Sequence, residues 1–312
     1  MMTEYAAFQG PRFVLDRGDA GFPDALRNVP DPPDRLYVVG NPDALQEGLA
    51  IVGARKATPY GISCAKRFSG LAADAGIAII SGGARGCDAA AHEACIERGG
   101  VTVVFLGGGC DEPYPAANKG LFQRVVDSGG ALVSENDWHM PPLKYMFRAR
   151  NRLIAGLAKA TLIVEAGLPS GTFSTADEAL AANREVLAVP GAITSKHSQG
   201  ANQLIYQGAT PIVDDGTFHD QMFAIFGSMT SMQSACRDGE ESSSRRTGLD
   251  EMLMDALEAQ QLSVDEMAKL AEERLGSKQD PKRLMVWIAE AQKSGRIAKF
   301  PSGRYGAVVR HS

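Results

Sequence analysis

Leu49-Ala50-Ile51-Val52-Gly53-Ala54-Arg55-Lys56-Ala57-Thr58-Pro59-Tyr60-Gly61 joins an unbroken apolar run to a glycine turn and then to the opening of a helix. Four apolar residues in succession, with no polar alternation, read as a strand buried on both faces, as in a parallel sheet covered by helices. The rhythm returns at Ile77-Ile80, Val101-Leu106, Ala131-Val133, Thr161-Val164, Val186-Val189 and Thr210-Val213. Helical stretches such as Cys87-Arg98 and Ser174-Arg184 lie between these runs. The repeated strand, turn and helix predict an α/β fold built on a doubly wound parallel sheet.

Outward from this region the character changes twice. Residues 1–40 hold scattered apolar positions and several prolines, and read as a lead-in segment to a main domain spanning 41–227. Residues 228–248 are rich in Ser, Met and charge without a period, which reads as a linker. In 249–312, Leu249-Ala259, Ser263-Leu275 and Pro281-Ser294 read as amphipathic helices, with Ser263 and Glu266 spaced as a capping box. Gly295-Phe300, the turn Pro301-Ser302-Gly303 and Arg304-Val308 then read as a hairpin. Three helices and a hairpin outline a winged-helix domain.

The chain has 312 residues and a formal net charge of −5, which argues mildly against a nucleic-acid binder. Phosphate binding follows the local field in a groove, however, and not the whole-chain sum. Cys64, Cys87, Cys95, Cys110 and Cys236 form no CxxC pair, and no histidine stands at zinc-finger spacing from two of them, so no metal is expected. The odd cysteine count, a start without a basic and apolar leader, and the lack of a membrane-length apolar run lead to the expectation of a cytoplasmic protein.

In an open parallel sheet, ligands bind where strands end and helices begin. The first such turn carries Gly53 and Arg55, and the second carries Ser81, Gly82, Gly83, Arg85 and Gly86. Another, after the Thr161-Val164 run, carries Ser170, Gly171 and Thr172. Glycines admit close backbone approach, helix-opening N–H groups attract anions, and arginine offers a planar donor fork. Each loop alone also fits a tight turn with no ligand. No GxxxxGK[ST] is present, and Gly107-Gly108-Gly109 leads into Cys110-Asp111-Glu112-Pro113 and not into a helix, so neither nucleotide fingerprint applies.

The sharpest stretch is Leu143-Lys144-Tyr145-Met146-Phe147-Arg148-Ala149-Arg150-Asn151-Arg152, with four cations, two aromatics and no acid. The bland reading is a solvated basic helix face. Interleaved aromatics favour a groove that tracks a phosphate chain and stacks unpaired bases.

These stretches resemble the signature blocks of the DNA-processing protein A (DprA/Smf) family. IVGARKATPYG, SGGARGCDAAAH, VFLGGGCDEPYP, FRARNRLIAGLAKATLIVEAGLPSGTFSTADEAL, VPGAI and GANQLIYQGAT occur in the family's order, from about Gly21 to Val213. The resemblance implies an extended Rossmann-like domain that binds single-stranded DNA without cofactor or catalysis. It also implies a homodimer and help in loading the recombinase RecA in transformation or recombination. By motif position it places DNA contacts on Arg55, Arg85, Lys144 and the base-stacking Phe147, and an Arg-Asn-Arg motif on Arg150, Asn151 and Arg152. Two departures stand out. Arg148 replaces the proline that usually follows the aromatic, and Gly83 and Cys87 stand where members carry Leu and Ile, which predicts a looser second loop.

The rival class is an enzyme resembling nucleoside-monophosphate phosphoribohydrolases. Their catalytic-loop glutamate position falls here on Thr175, while Glu165 and Glu178 stand at other positions. His92, inside a helix, reads as a packing or capping residue, and Trp138 and Tyr145 either add stacking surface or sit in the core or at the rim. The third C-terminal helix offers mostly Leu, Met, Val, Ile and Ala, so beside a transcription factor reading major-groove edges a protein-interaction or weak DNA-binding module fits at least as well.

Overall fold

The computed structural model describes residues 6–168 and 170–227, and, further on, 253, 256–257, 262–275, 284, 287–288, 291, 297–299 and 305–307. The chain divides into two compact units, 1–235 and 236–312.

In the first unit the apolar runs become strands β3 (Gly48–Val52), β4 (Ile79–Ser81), β5 (Thr102–Phe105), β6 (Ala131–Ser134), β7 (Ala158–Ile163), β8 (Glu185–Ala188) and β9 (Thr210–Pro211). All neighbouring pairs among these are parallel. They are preceded by β1 (Arg12–Asp16) and β2 (Arg35–Gly40), which the sequence pattern does not divide out of the lead-in. β2 adds antiparallel to β6 with Val38 opposite Val133, and β1 adds antiparallel to β2. The sheet thus has nine strands in the order β1-β2-β6-β5-β4-β3-β7-β8-β9.

Side chains alternate between two cores. Ala50, Val52, Ile80, Val103 and Phe105 face one side, where α1 (Asp24–Arg27), α5 (Lys144–Leu157), α6 (Thr172–Ala181) and α7 (Gln199–Tyr206) pack through Leu26, Leu153, Ala176 and Leu204. Leu49, Ile51, Ile79 and Leu162 face the other, under α2 (Pro59–Asp74), α3 (Cys87–Glu97) and α8 (Asp215–Phe226). On that side Val104 and Leu132 meet Phe122 and Val125 of α4 (Lys119–Asp127). This burial on both faces is the reason the strands carry no polar alternation.

The order of strands reverses once. From β3 the chain works outward through β4, β5 and β6, then returns with β7 beside β3 and proceeds the other way. The loops after β3 and β7 therefore diverge over opposite faces and leave a crevice at the carboxyl ends of the strands.

His92, in α3, is fully buried, with Nδ1 2.7 Å from the Thr102 hydroxyl. Burial, helped by the nearby Arg150 charge, pushes its pKa down to about 3 from 6.5. A histidine kept neutral in the fold favours the folded state above its unfolded value, and that contribution is lost as pH falls from 6.5 toward 3. Urea unfolding should show wild type losing about 2 kcal/mol more stability than His92→Gln between neutrality and about pH 5. Equal losses would mean that His92 is not the group being protonated.

In the second unit, Ser263 and Glu266 form the reciprocal cap at the start of α9 (Val264–Leu275): the Ser263 N–H donates to Glu266 Oε2 at 2.7 Å and the Glu266 N–H to Ser263 Oγ at 3.3 Å. β10 (Ile297–Lys299) and β11 (Tyr305–Ala307) pair antiparallel as the hairpin. Leu253, Leu257, Met267, Leu284, Trp287, Ile288 and Ile297 share a core, so Trp287 is a packing residue. The linker 228–248, Cys236, the hairpin turn and most of the first and third C-terminal helices lie outside the described residues.

Candidate nucleic-acid interface

A cleft of about 610 Å³ occupies the crevice between the β3 and β7 loops. Gly53 and Arg55 border it from the β3 side, and Lys144, Phe147, Arg148, Arg150 and Asn151 from α5. Ser170, Gly171, Thr172 and Thr175 close it from the β7 side. A second chamber of about 420 Å³ adjoins it and holds Gly82 and Arg85 of the β4 loop. Arg55, Ala84, Phe147 and Arg150 border both.

The cations fall into two groups. Arg55, Arg85, Lys144 and Arg148 are exposed, and the ion pairs among the described residues give none of them an acidic partner. The Arg55 guanidinium lies 5.7 Å from the centroid of the half-buried Phe147 ring. Lys144 opens α5, whose first turn contains no acid and whose N-cap, Leu143, supplies no side-chain acceptor. A cation there opposes the helix dipole, and bare N–H groups beside it complete a donor set for an anion. Arg148, where the family usually has proline, adds a further exposed charge within the first turns of a continuous helix.

Arg150 and Arg152 belong to the scaffold. Arg150 is 4% exposed and reaches across from α5 to donate to Gly82 O at 2.8 Å and to Phe105 O, tying the ends of β4 and β5 together. Asp88, also buried, accepts from the N–H groups of Gly82 and Ala84 at 3.2 and 3.3 Å. Desolvation raises the Asp88 pKa and the Arg150 charge opposes that rise, while desolvation lowers Arg150 to about 10. A Cβ on Gly82 would lie 2.5 Å from the Arg150 guanidinium, so this position needs glycine for the close approach. Arg152 turns away from the cleft to Glu135, 2.6 Å, and Asp31, 2.9 Å.

The second loop is firmer than its two departures from the family pattern suggest. Gly83 has φ +64°, and a Cβ there would meet the Phe122 ring at 2.6 Å. Asn118 Nδ2 donates to the carbonyls of Gly83 and Ala84 at 2.9 and 3.3 Å. Ser81, Gly83 and Gly86 shape this loop from behind without bordering either chamber, and the Ser81 hydroxyl donates to Ile51 O at 2.6 Å.

Glu165, at the end of β7, is 2% exposed and accepts at Oε2 from the Thr58 N–H, 3.0 Å, so it braces the start of α2 and does not border the cleft. Thr175 occupies its position in α6, 3% exposed. Trp138 packs edge-on against Tyr37 with Arg12 over its ring, and Tyr145 is 66% exposed outside both chambers. Among the described residues no cluster of His, Cys, Asp and Glu could hold a metal ion.

Residues 13–222 match the model of the DNA recombination-mediator protein A family. This chain belongs to that family. It is 41% identical over 206 residues to Protein Smf of Escherichia coli, covering 65% of this chain and 55% of that protein. It is 38% identical over 193 residues to DNA processing protein DprA of Streptococcus pneumoniae, covering 61% of this chain and 67% of that protein. The chain thus spans about half the length of the E. coli relative. The solved DprA of S. pneumoniae superposes with a TM-score of 0.61 at 33% identity, covering 68% of this chain and 74% of that one. DprA of Helicobacter pylori, whose structure addresses its single-stranded DNA binding mode, gives 0.63 at 28% identity, covering 70% and 99%. The family assignment and the mixed, mostly parallel sheet agree with the sequence reading. No helix of the described residues is long and apolar enough to cross a membrane.

Proposed function

We propose that this family member binds single-stranded DNA in the cleft at the β3/β7 crevice and acts there as a recombination mediator. The observation that carries the reading is a set of exposed cations, Arg55, Arg85, Lys144 and Arg148, left without acidic partners around the accessible ring of Phe147. Cations follow the phosphates, the flat ring stacks on an unpaired base, and glycine-loop N–H groups other than the two held by Asp88 add donors. Gly53, Arg55, Gly82, Arg85, Lys144, Phe147, Asn151, Ser170, Gly171 and Thr172 contact the strand. Ser81, Gly83, Gly86, Arg150 and Arg152 hold the loops that present them. A duplex fits poorly, because its bases are not free to reach Phe147.

By family, the protein works as a cytoplasmic homodimer that helps load RecA onto the bound strand, and residues 249–312 form a winged-helix module. Two sites in a dimer raise avidity through effective concentration. The protein performs no bond-making step: the acids bordering the cleft are Asp88, engaged by the Gly82 loop, and Asp177, and the position a phosphoribohydrolase fills with glutamate holds a buried threonine.

Fluorescence anisotropy of labelled oligo-dT and a matched duplex, across salt, tests the reading. Tight, salt-sensitive binding to the single strand alone is expected. Lys144→Ala should reduce the slope of log K against log salt by about 0.7, the value for one phosphate of a single strand. Equal affinity for the duplex, or an unchanged slope, counts against this assignment of the cleft.

A further inference from the structure

Tyr114 stands beside Phe147 with ring centroids 5.1 Å apart and planes inclined at 55°. It is 49% exposed, on the loop that follows β5. Nothing in its surroundings requires a tyrosine for packing: half of it faces solvent and its hydroxyl finds no hydrogen-bond partner among the described residues. Its ring borders the smaller chamber together with Gly82, Arg85, Pro113, Ala117 and Phe147. Arg55, Phe147 and Tyr114 therefore make a continuous row of flat groups, guanidinium to phenyl to phenol, running from the larger chamber into the smaller one.

We propose that the smaller chamber takes a second nucleobase of the same strand, stacked on Tyr114, next to the base on Phe147. The inference rests on the single-strand reading and adds a subsite to it. At 5.1 Å the two rings are too close to admit a base between them, so each offers a separate stacking surface and the strand passes along the row. Exposed Arg85 stands at this chamber and Arg55 at the junction of the two, so the phosphates on either side of the second base meet cations. Asn118, just beyond Tyr114 in sequence, fastens the Gly83 and Ala84 carbonyls, which holds the tyrosine loop and the Arg85 loop in fixed relation. Pro113, Pro115, Ala116 and Ala117 carry no side-chain donor or acceptor, and stacking on Tyr114 tolerates any base face, so little sequence preference is expected at this chamber.

Photocrosslinking with oligo-dT carrying 5-iodouracil, followed by peptide mapping, tests this in the full chain. Anisotropy runs alongside for Tyr114→Ala and Tyr114→Phe. Crosslinks are expected at both Phe147 and Tyr114. Tyr114→Ala should bind roughly tenfold more weakly, while Tyr114→Phe, which keeps the stacking face, should stay within about twofold of wild type. Crosslinking at Phe147 alone, or equal damage from both substitutions, overturns the second subsite and leaves the single-strand reading standing. Wild type that ignores oligo-dT overturns both.

Discussion

Arg150→Met is expected to destabilise the first unit by about 3–5 kcal/mol, because it removes a buried cation that caps two buried carbonyls and offsets the nearby buried Asp88. The guanidinium spans Gly82 O and Phe105 O, so the substitution leaves two buried carbonyls without a donor and Asp88 without its compensating cation. The melting temperature should fall by on the order of 10 °C. The pH dependence separates the charge effect from lost packing. With Arg150 gone, burial raises the Asp88 pKa further, opposed only by its remaining hydrogen bonds, those from the Gly82 and Ala84 N–H groups among them. A raised folded pKa gives stability that is present below the unfolded value and lost as pH rises through the folded one, so the damage should be smaller near pH 5 than at neutrality. Arg150→Met/Asp88→Asn should recover part of the loss, since the second change removes the stranded charge. Melting curves of wild type, Arg150→Met, Asp88→Asn and the double variant decide it, and an Arg150→Met protein that melts like wild type refutes the role given to Arg150.

That role is also where the reading of the sequence stops. The Arg-Asn-Arg motif looks like one cationic unit in a linear chain, yet its first and last members do structural work and its neighbours Lys144 and Arg148 face the cleft. The partners that decide this, Gly82 and Phe105 for Arg150 and Glu135 and Asp31 for Arg152, lie 17 to 121 residues away. No local pattern announces them. The strand-end loops, in contrast, were legible, because a doubly wound topology alone requires Gly53, Arg55, Gly82, Arg85 and the Ser170-Gly171-Thr172 turn to converge on one edge. The strands β3 to β9 were legible for a similar reason: burial on both faces forces apolar runs.

β1 and β2 escaped that logic for opposite reasons. β1 is an edge strand with Phe13 and Val14 partly exposed, at 36% and 44%, so neither a run nor an alternation marks it. β2 has a buried apolar run, Leu36 to Val39 broken by Tyr37, but it follows a proline-rich turn and pairs antiparallel, outside the rhythm that identifies the other strands. Tyr114 escaped because an exposed tyrosine in a proline-flanked turn looks like loop decoration until the fold brings it to Phe147.

Removing Arg55 and Phe147 together should abolish single-strand binding at accessible concentrations, on the order of a 1,000-fold loss, while leaving the fold intact. Arg55 borders both chambers, so the phosphate on either side of the stacked base is within its reach. A charge-assisted hydrogen bond and a stacked base each correspond to roughly 10- to 100-fold in affinity. The two losses should combine to less than their product, because the Arg55 guanidinium already lies over the Phe147 ring and each side chain helps to position the other. Conservative variants divide the effect. Arg55→Lys keeps the charge and should keep the salt slope, but it loses the planar fork and the contact with the ring, so affinity should not return. Phe147→Leu keeps apolar bulk without a stacking face and should bind nearly as weakly as Phe147→Ala. Arg55 is exposed and ion-pairs with no acid among the described residues, so Arg55→Ala should melt as wild type does. Anisotropy across salt, with melting curves as the control for folding, would show either this pattern or a double mutant that still binds within tenfold of wild type. The second result would move the strand off the row formed by Arg55 and Phe147.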